Sequence, residues 1–244
     1  MRLISWNVNR RTGVLAQQAY ALAEREPDVV ALQEITARSQ PLWDAALATI
    51  GLDALCSWPP RPRRTVVLIA ARDLAPAPAL ELPWPETTLA ASVDGVTVHN
   101  VHVPNAANGW VKPDTLAAVR AGLAATSGPR ILCGDLNTPR REHPDGTVIS
   151  FARDTRERLR PERGERWDNA ELGVVPGLRT LGFQDAFAGD RQRTWVFRHG
   201  GGWRLDHVFA SAELAVVAAT YHHAWRDGGL SDHSALEVDI ELRH

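Results

Sequence analysis

The chain of 244 residues carries a short apolar run, Ile131 to Cys133, that stops at Gly134 and then presents Asp135 and Asn137 two positions apart. Pro139 forbids the strand to continue. Strand side chains repeat every two residues, so the carboxylate and the amide leave on the same side. Gly134 leaves room beside them for a close approach. Taken alone, this is how an Asx turn closes a strand. Its company changes the reading. Asn7, Glu34, His102, Asp206 and the pair Asp232-His233 each follow or interrupt an apolar strand, where a polar side chain is costly unless paired or bound. Carboxylates, amides and two histidines gathered at strand ends are the ingredients for a hard divalent cation such as Mg²⁺, which prefers oxygen ligands and keeps several waters. Zinc fits less well, because no Cys/His ligand spacing is present.

The elements that must position these groups are legible in part. The start of the chain, to Val8, reads as a strand ending near Asn7, and residues 14–26 as an amphipathic helix stopped before Pro27. Asp28 to Glu34 is a buried strand that delivers Glu34 at its end, followed by a helix over 41–50. Thr65 to Ala71 is an apolar strand, preceded by the basic loop 61–64. The Ala/Pro-rich segment 75–86 reads as a surface connection. Val93 to Val103 contains the turn Asp94-Gly95 and then a strand carrying His99 and His102. A helix with Pro113 in its first turn spans 113–126. Residues 140–170 read as irregular and charged, with a helix near 171–182. Two short strands pair around Gly200 to Gly202, Tyr221 to Trp225 forms another, and Ser234 to Leu242 is the last. Strands outnumber helices and no linker separates two halves. The expectation is one α/β domain over residues 1–244, with two packed sheets and helices outside.

Composition is that of an ordinary globular protein. A net charge of −2 supplies no global field for nucleic acid, so a polyanion site must be a local patch. Nearly all the positive charge is arginine; Lys112 is the only lysine. Cys56 and Cys133 make no disulfide framework. No secretory leader or membrane-length apolar run is present, and the expectation is a cytoplasmic protein.

In order along the chain, Ser5-Trp6-Asn7-Val8-Asn9, Leu32-Gln33-Glu34, Asn100-Val101-His102-Val103-Pro104-Asn105, Gly134-Asp135-Leu136-Asn137, Trp203-Arg204-Leu205-Asp206-His207 and Ser231-Asp232-His233 resemble the motifs of the endonuclease/exonuclease/phosphatase family. Within it the chain most resembles the exonuclease III type of abasic-site endonuclease, with Arg166 to Phe187 and Trp195 to Asp206 similar to that branch's C-terminal half. The resemblance implies a four-layer α/β sandwich of two mixed sheets flanked by helices, with the site where the sheets meet. It implies Glu34 as the main metal ligand, supported by Asn7 and Asp232, with Mg²⁺ as the cofactor and Mn²⁺ able to substitute. Asp135 would position or deprotonate the attacking water, Asn137 would hold the phosphate, and Asp206 would orient His233 toward the phosphoryl oxygens. His102 would be a further phosphate contact. Two features depart from the branch: His102 stands where it usually has tyrosine, and the strand 65–71 lacks a glycine-rich entry.

In-line hydrolysis of a phosphodiester needs a positioned water, neutralised oxygens and help for the leaving alkoxide, and a carboxylate, a metal and a carboxylate-fixed histidine supply these. Arg10, Arg11, Arg61, Arg63, Arg64, Arg140 and Arg141 lie in loops near the proposed site and suit a phosphate backbone. Asn9, Arg10, Asn105, Trp195 and Trp203 are the candidate substrate contacts, the tryptophans by stacking on a base or by filling an abasic gap. Core packing accounts for Trp195 and Trp203 equally well. The run 153–166 alternates sign and reads as a solvated face or mobile loop. The leading expectation is a monomeric Mg²⁺-dependent phosphodiesterase acting on DNA. Cleavage of a small or lipid phosphate ester and a catalytically silent binding module are the alternatives.

Overall fold

The computed structural model describes residues 1–59, 61–187 and 192–243; the remaining positions of the 1–244 span lie outside the described residues. Two six-stranded sheets dominate. In spatial order the first runs Leu214–His222, Ala235–Leu242, Arg2–Asn7, Val29–Ile35, Val66–Ala71, Asp53–Cys56. The second runs Gln184–Asp185, Asp206–Ala210, Arg130–Asp135, Val96–His102, Thr88–Val93, Ala75–Pro76. Each has one parallel pair at its centre, Arg2–Asn7 with Val29–Ile35 and Val96–His102 with Arg130–Asp135. Parallel neighbours need a crossover, and the helices Leu15–Ala23 and Val111–Ala124 provide it. Parallel strands finish side by side. Their C-terminal ends therefore bring Asn7 beside Glu34 in one sheet and His102 beside Asp135 in the other.

The period of two sends alternate residues to different cores. Leu3, Val29, Ala31 and Ile69 meet Val98, Ile131, Cys133 and Val208 between the sheets. Ile4, Val30, Leu32 and Leu68 pack outward against Leu22, Trp43 and Leu47. On the opposite outside, Val101, Leu132 and Phe209 pack against Leu116, Val119, Leu123 and Leu178. The order is helix, sheet, sheet, helix, the expected four-layer α/β sandwich. Burial on both faces explains why the central strands read as continuous apolar runs. Polar groups inside the sandwich are matched across it. Gln33 Nε2 donates to Asn100 Oδ1 at 2.8 Å, and Asn100 Nδ2 donates to the Leu32 and Leu68 carbonyls at 3.0 and 2.9 Å. No helix among the described residues is long and apolar enough to cross a membrane.

Several elements differ from the sequence reading. The helix expected near 171–182 is Gly164–Val174, followed by a 3₁₀ turn at Gly177–Leu181. Its buried face is Trp167, Asp168, Glu171 and Val174, and two buried carboxylates on that stripe hide the apolar period. The segment 75–86 is less superficial than its composition implies, because Leu80 and Leu82 bury against the outer core. The hairpin around Asp94-Gly95 has a first arm, Thr88–Val93, that begins well before the turn. The strand expected at 221–225 ends at His222, and His223–Asp227 is helical. Leu214–His222 lies at the sheet edge with a bulge between Val216 and Ala218, so few of its residues are buried and its pattern is weak.

Candidate active site

Each site residue is placed by a local feature of its strand end. Asp135 pairs with His102 on one side and Asp206 on the other, so the three stand in a row across the second sheet. Gly134, immediately before Asp135, has φ +132°, and a Cβ there would lie 1.9 Å from the Val101 carbonyl oxygen. The close approach that requires glycine is thus the neighbouring strand's own backbone. Glu34 sits at an irregularity in the strand pairing and adopts φ +63°, with Asn9, Arg10 and Asn137 also left-handed. Such backbone is sparsely populated for non-glycine residues and is retained where the surroundings over-determine it.

The sheets meet at Asp135. Asn7 Nδ2 from the first sheet donates to Asp135 Oδ2 at 3.0 Å, and the Asn137 backbone N–H donates to Asp135 Oδ1 at 2.9 Å. His102 Nε2 lies 3.6 Å from Asp135 Oδ2 and 3.9 Å from Glu34 Oε1. His233 Nδ1 donates to Asp206 Oδ2 at 2.9 Å, leaving Nε2 3.9 Å from Asp135 Oδ2. Asn137 Nδ2 donates to the Val103 carbonyl at 2.8 Å and to Asp135 Oδ2 at 3.3 Å. Burial disfavours charge on His233, but Asp206 and then Asp135 outweigh it and hold the imidazole up at about 10. The ring is a cation at neutral pH. Asp135 is itself raised, first by burial, with Asp206 adding to the rise and His233 opposing it.

These groups open into a cleft of about 640 Å³. Glu34, His102, Asp135, Asn137, Asp232 and His233 line its floor; Asp206 lies buried behind His233. Of the candidate substrate contacts, Arg10, Asn105, Trp195 and Trp203 line the cleft. Asn9 is not among the lining residues; its backbone N–H donates to Asn7 Oδ1 at 3.0 Å, which makes it a turn residue behind the site. Trp195 and Trp203 stack with centroids 5.2 Å apart and planes 10° apart, and form one wall with Phe151. Arg63 and Arg64 from the basic loop stand on the rim, with Arg64 over the Trp84 ring at 5.4 Å.

A cation has oxygen donors here. Asp232 Oδ1 is buried with no hydrogen-bond partner among the described residues, while its Oδ2 accepts from Trp195 Nε1 at 3.3 Å. Glu34 projects a carboxylate into the same cleft beside Arg10, at 3.1 Å. A buried oxygen of this kind in a cleft that holds a second carboxylate is what a hard cation completes. Potential ligand atoms of Asp135, Asp206 and His233 also lie within 4.8 Å of one another. That trio suits proton handling better, because His233 is bonded by Asp206 and carries a positive charge.

The motifs contained positioning residues that the sequence reading left without roles. Trp6 Nε1 donates to the His233 carbonyl at 3.0 Å, and Ser231 Oγ donates to the Asn7 carbonyl at 2.6 Å. Arg204 joins Glu142 and Asp185, each at 2.6 Å, and anchors the segment that leads into Asp206. Such residues declare themselves only through partners distant in sequence, and no local pattern marks them.

Two packed sheets whose central strand ends present a carboxylate, a carboxylate-fixed imidazolium and an oxygen-rich cleft define a hydrolase of phosphoric esters. The chain belongs to the Endonuclease/Exonuclease/phosphatase family, whose model matches residues 4–233. Its fold is shared with an AP endonuclease from Archaeoglobus fulgidus, at TM-score 0.75 and 22% identity over 99% of this chain and 100% of that one. A 3′ phosphatase, NExo, from Neisseria bound to a product DNA hairpin superposes at TM-score 0.74 and 24% identity, over 99% of each chain. The 3′-5′ exonuclease NExo from Neisseria meningitidis gives TM-score 0.71 and 24% identity, over 99% of this chain and 100% of that one. No curated protein sequence matches the chain.

Proposed function

We propose that residues 1–244 form one monomeric catalytic domain that hydrolyses DNA phosphate esters with Mg²⁺, at abasic sites or 3′ ends, and that Mn²⁺ substitutes for it. The observation that carries this reading is the shared cleft. One cavity is lined by Asp135 and by His233, which Asp206 fixes from behind, together with the Glu34 and Asp232 carboxylates, three arginines (Arg10, Arg63, Arg64) and a stacked tryptophan pair. A polyanion with flat bases matches all of them. The fold relative from Neisseria holds a product DNA hairpin.

Glu34 and Asp232, supported by Asn7, hold the cation. Bound there, Mg²⁺ supplies charge neutralisation on the non-bridging oxygens and at the leaving alkoxide. Asp135 orients the attacking water and takes its proton, a task suited to a carboxyl whose proton affinity is raised. His233 keeps Nδ1–H on Asp206, so its Nε2–H faces the cleft and donates to a phosphoryl oxygen. His102 is a second contact to the phosphate. Asn137 exchanges its longer bond to Asp135, at 3.3 Å, for a bond to the same group. Cys56 and Cys133 are both free thiols, in keeping with a cytoplasmic enzyme.

His102 favours a second reading, a small phosphate ester, because it places another donor beside Asp135 without any need for a long groove. The test compares an abasic duplex, a duplex with a 3′ phosphate, an undamaged duplex and a chromogenic phosphodiester, each with Mg²⁺ and with EDTA. Metal-dependent turnover of a damaged duplex, lost in Asp135→Ala, is the expected result. Turnover of the chromogenic ester alone would transfer the assignment to the small-ester reading.

A further inference from the structure

The segment 140–166 holds eight arginines; Arg156 is exposed, and the structure divides the other seven into two groups. Four have carboxylate partners: Arg141 with Glu157 at 2.8 Å, Arg153 with Asp168 at 2.6 Å, Arg158 with Asp154 at 2.8 Å, and Arg166 with Asp114. Arg140, Arg160 and Arg163 do not pair in this way. Among the described residues their only salt bridge is Arg160 to Glu162, at the 4.0 Å limit.

These three surround one short stretch of chain. The Arg140 backbone N–H donates to the Ile149 carbonyl and the Arg160 backbone N–H to the Ala152 carbonyl, each at 2.9 Å, while Arg163 Nη1 donates to the Phe151 carbonyl. All three are partly buried, and Arg160 Nε is buried with no hydrogen-bond partner among the described residues. Arg140 and Arg163 are both held below the ordinary guanidinium range, first by burial and then by the neighbouring Arg160. Like charges gathered and partly removed from water are unfavourable unless an anion joins them. Arg163 holds the carbonyl of Phe151, whose residue also lines the catalytic cleft, so the stretch these arginines surround borders that cleft.

We propose that Arg140, Arg160 and Arg163 form a second phosphate-binding site, which takes a backbone phosphate of the nucleic-acid strand away from the one being hydrolysed. The inference rests on the DNA reading of the cleft. Guanidinium groups suit phosphate oxygens, and a site on the stretch that borders the cleft lengthens the footprint without touching the chemistry. The solvated face expected of 153–166 holds for Arg156, Arg158 and Arg166, which are exposed, and not for Arg153, Arg160 and Arg163, which are partly buried.

The test measures binding of a fluorescent duplex by anisotropy in EDTA, across a series of salt concentrations, with folding checked by circular dichroism. Arg140→Gln with Arg160→Gln is compared with Arg156→Gln with Arg158→Gln, a control of equal charge in the same segment. Arg163 is left intact because it holds the Phe151 carbonyl. The expected result is an affinity loss of about tenfold at low salt, with the slope of log K against log salt reduced by about two, in the first variant only. Turnover of the chromogenic phosphodiester is unchanged in that variant. Equal effects in both variants, or unaltered binding in the first, would overturn the arginine site while the DNA reading stood. A wild-type protein that binds no duplex would remove the DNA reading and this site with it.

Discussion

His233 Nδ1 lies 2.9 Å from Asp206 Oδ2, and the same imidazole turns Nε2 to within 3.9 Å of Asp135. One ring thus joins a buried carboxylate that fixes its orientation to a second carboxylate in the cleft. Asp206→Asn replaces an obligate acceptor with an amide that can donate, and it removes the charge that holds the ring protonated. The His233 titration, followed by NMR, should fall from about 10 toward the ordinary histidine value. Turnover should fall about 100-fold, the scale of a lost hydrogen-bond donor to developing charge. Full activity with an unmoved titration would remove Asp206 from this role.

Gly134 is the tightest point beneath the site. Gly134→Ala would place a methyl group 1.9 Å from the Val101 carbonyl oxygen, in a backbone conformation that side chains rarely adopt. Both effects force apart the strands that carry His102 and Asp135. Destabilisation of about 3 kcal/mol or more is expected in urea melts. A variant within about 1 kcal/mol of wild type, roughly the limit for an innocuous change, would contradict so close an approach of the two strands.

His99 gives the fold an acid-side weakness. It is buried, neither ring nitrogen has a hydrogen-bond partner among the described residues, and burial followed by Arg130 lowers its pKa to about 4. The folded value lies below the unfolded one of 6.5, so the unfolded chain binds the extra proton first. Stability is complete above pH 6.5 and declines as pH falls toward 4, by up to about 3 kcal/mol from this residue. Chemical unfolding at about pH 7.5 and about pH 5, on either side of the unfolded value, measures the decline, and His99→Leu should flatten it.

Lys112, the only lysine of the chain, is fully buried with Nζ 2.8 Å from Glu171 Oε1. Glu171 also accepts from Trp167, Thr138 and the Phe151 backbone, beneath the segment that follows Asn137. Lys112→Met leaves that carboxylate without its cation and should cost about 3–5 kcal/mol. Adding Glu171→Gln should recover part of the loss, because the uncompensated charge is gone. Equilibrium unfolding of the two variants decides it: a double variant less stable than Lys112→Met would show that the charge is not the source.

Sequence alone singled out the polar groups that end its strands, though it also offered Asn9, a turn residue behind the cleft. Asn7, Glu34, His102, Asp135 and Asp206 were legible because polar groups that end or interrupt apolar runs are locally conspicuous. Asp232 and His233 were marked by the glycine-rich turn before them. The two-sheet architecture followed from continuous apolar strands broken by helical periods. Tertiary structure decided everything that depends on partners far apart in the chain. Glu171 is buried because Lys112, 59 positions away, neutralises it, and that hid the helix Gly164–Val174 from a hydropathy reading. Trp6 and Ser231 act through backbone carbonyls 227 and 224 positions away. The arginines of 140–166 look alike in sequence; only the fold separates those with a carboxylate from those without. Periodicity reports the environment of a segment relative to its neighbours, whereas pairing energies depend on distances that only the packed sheets define.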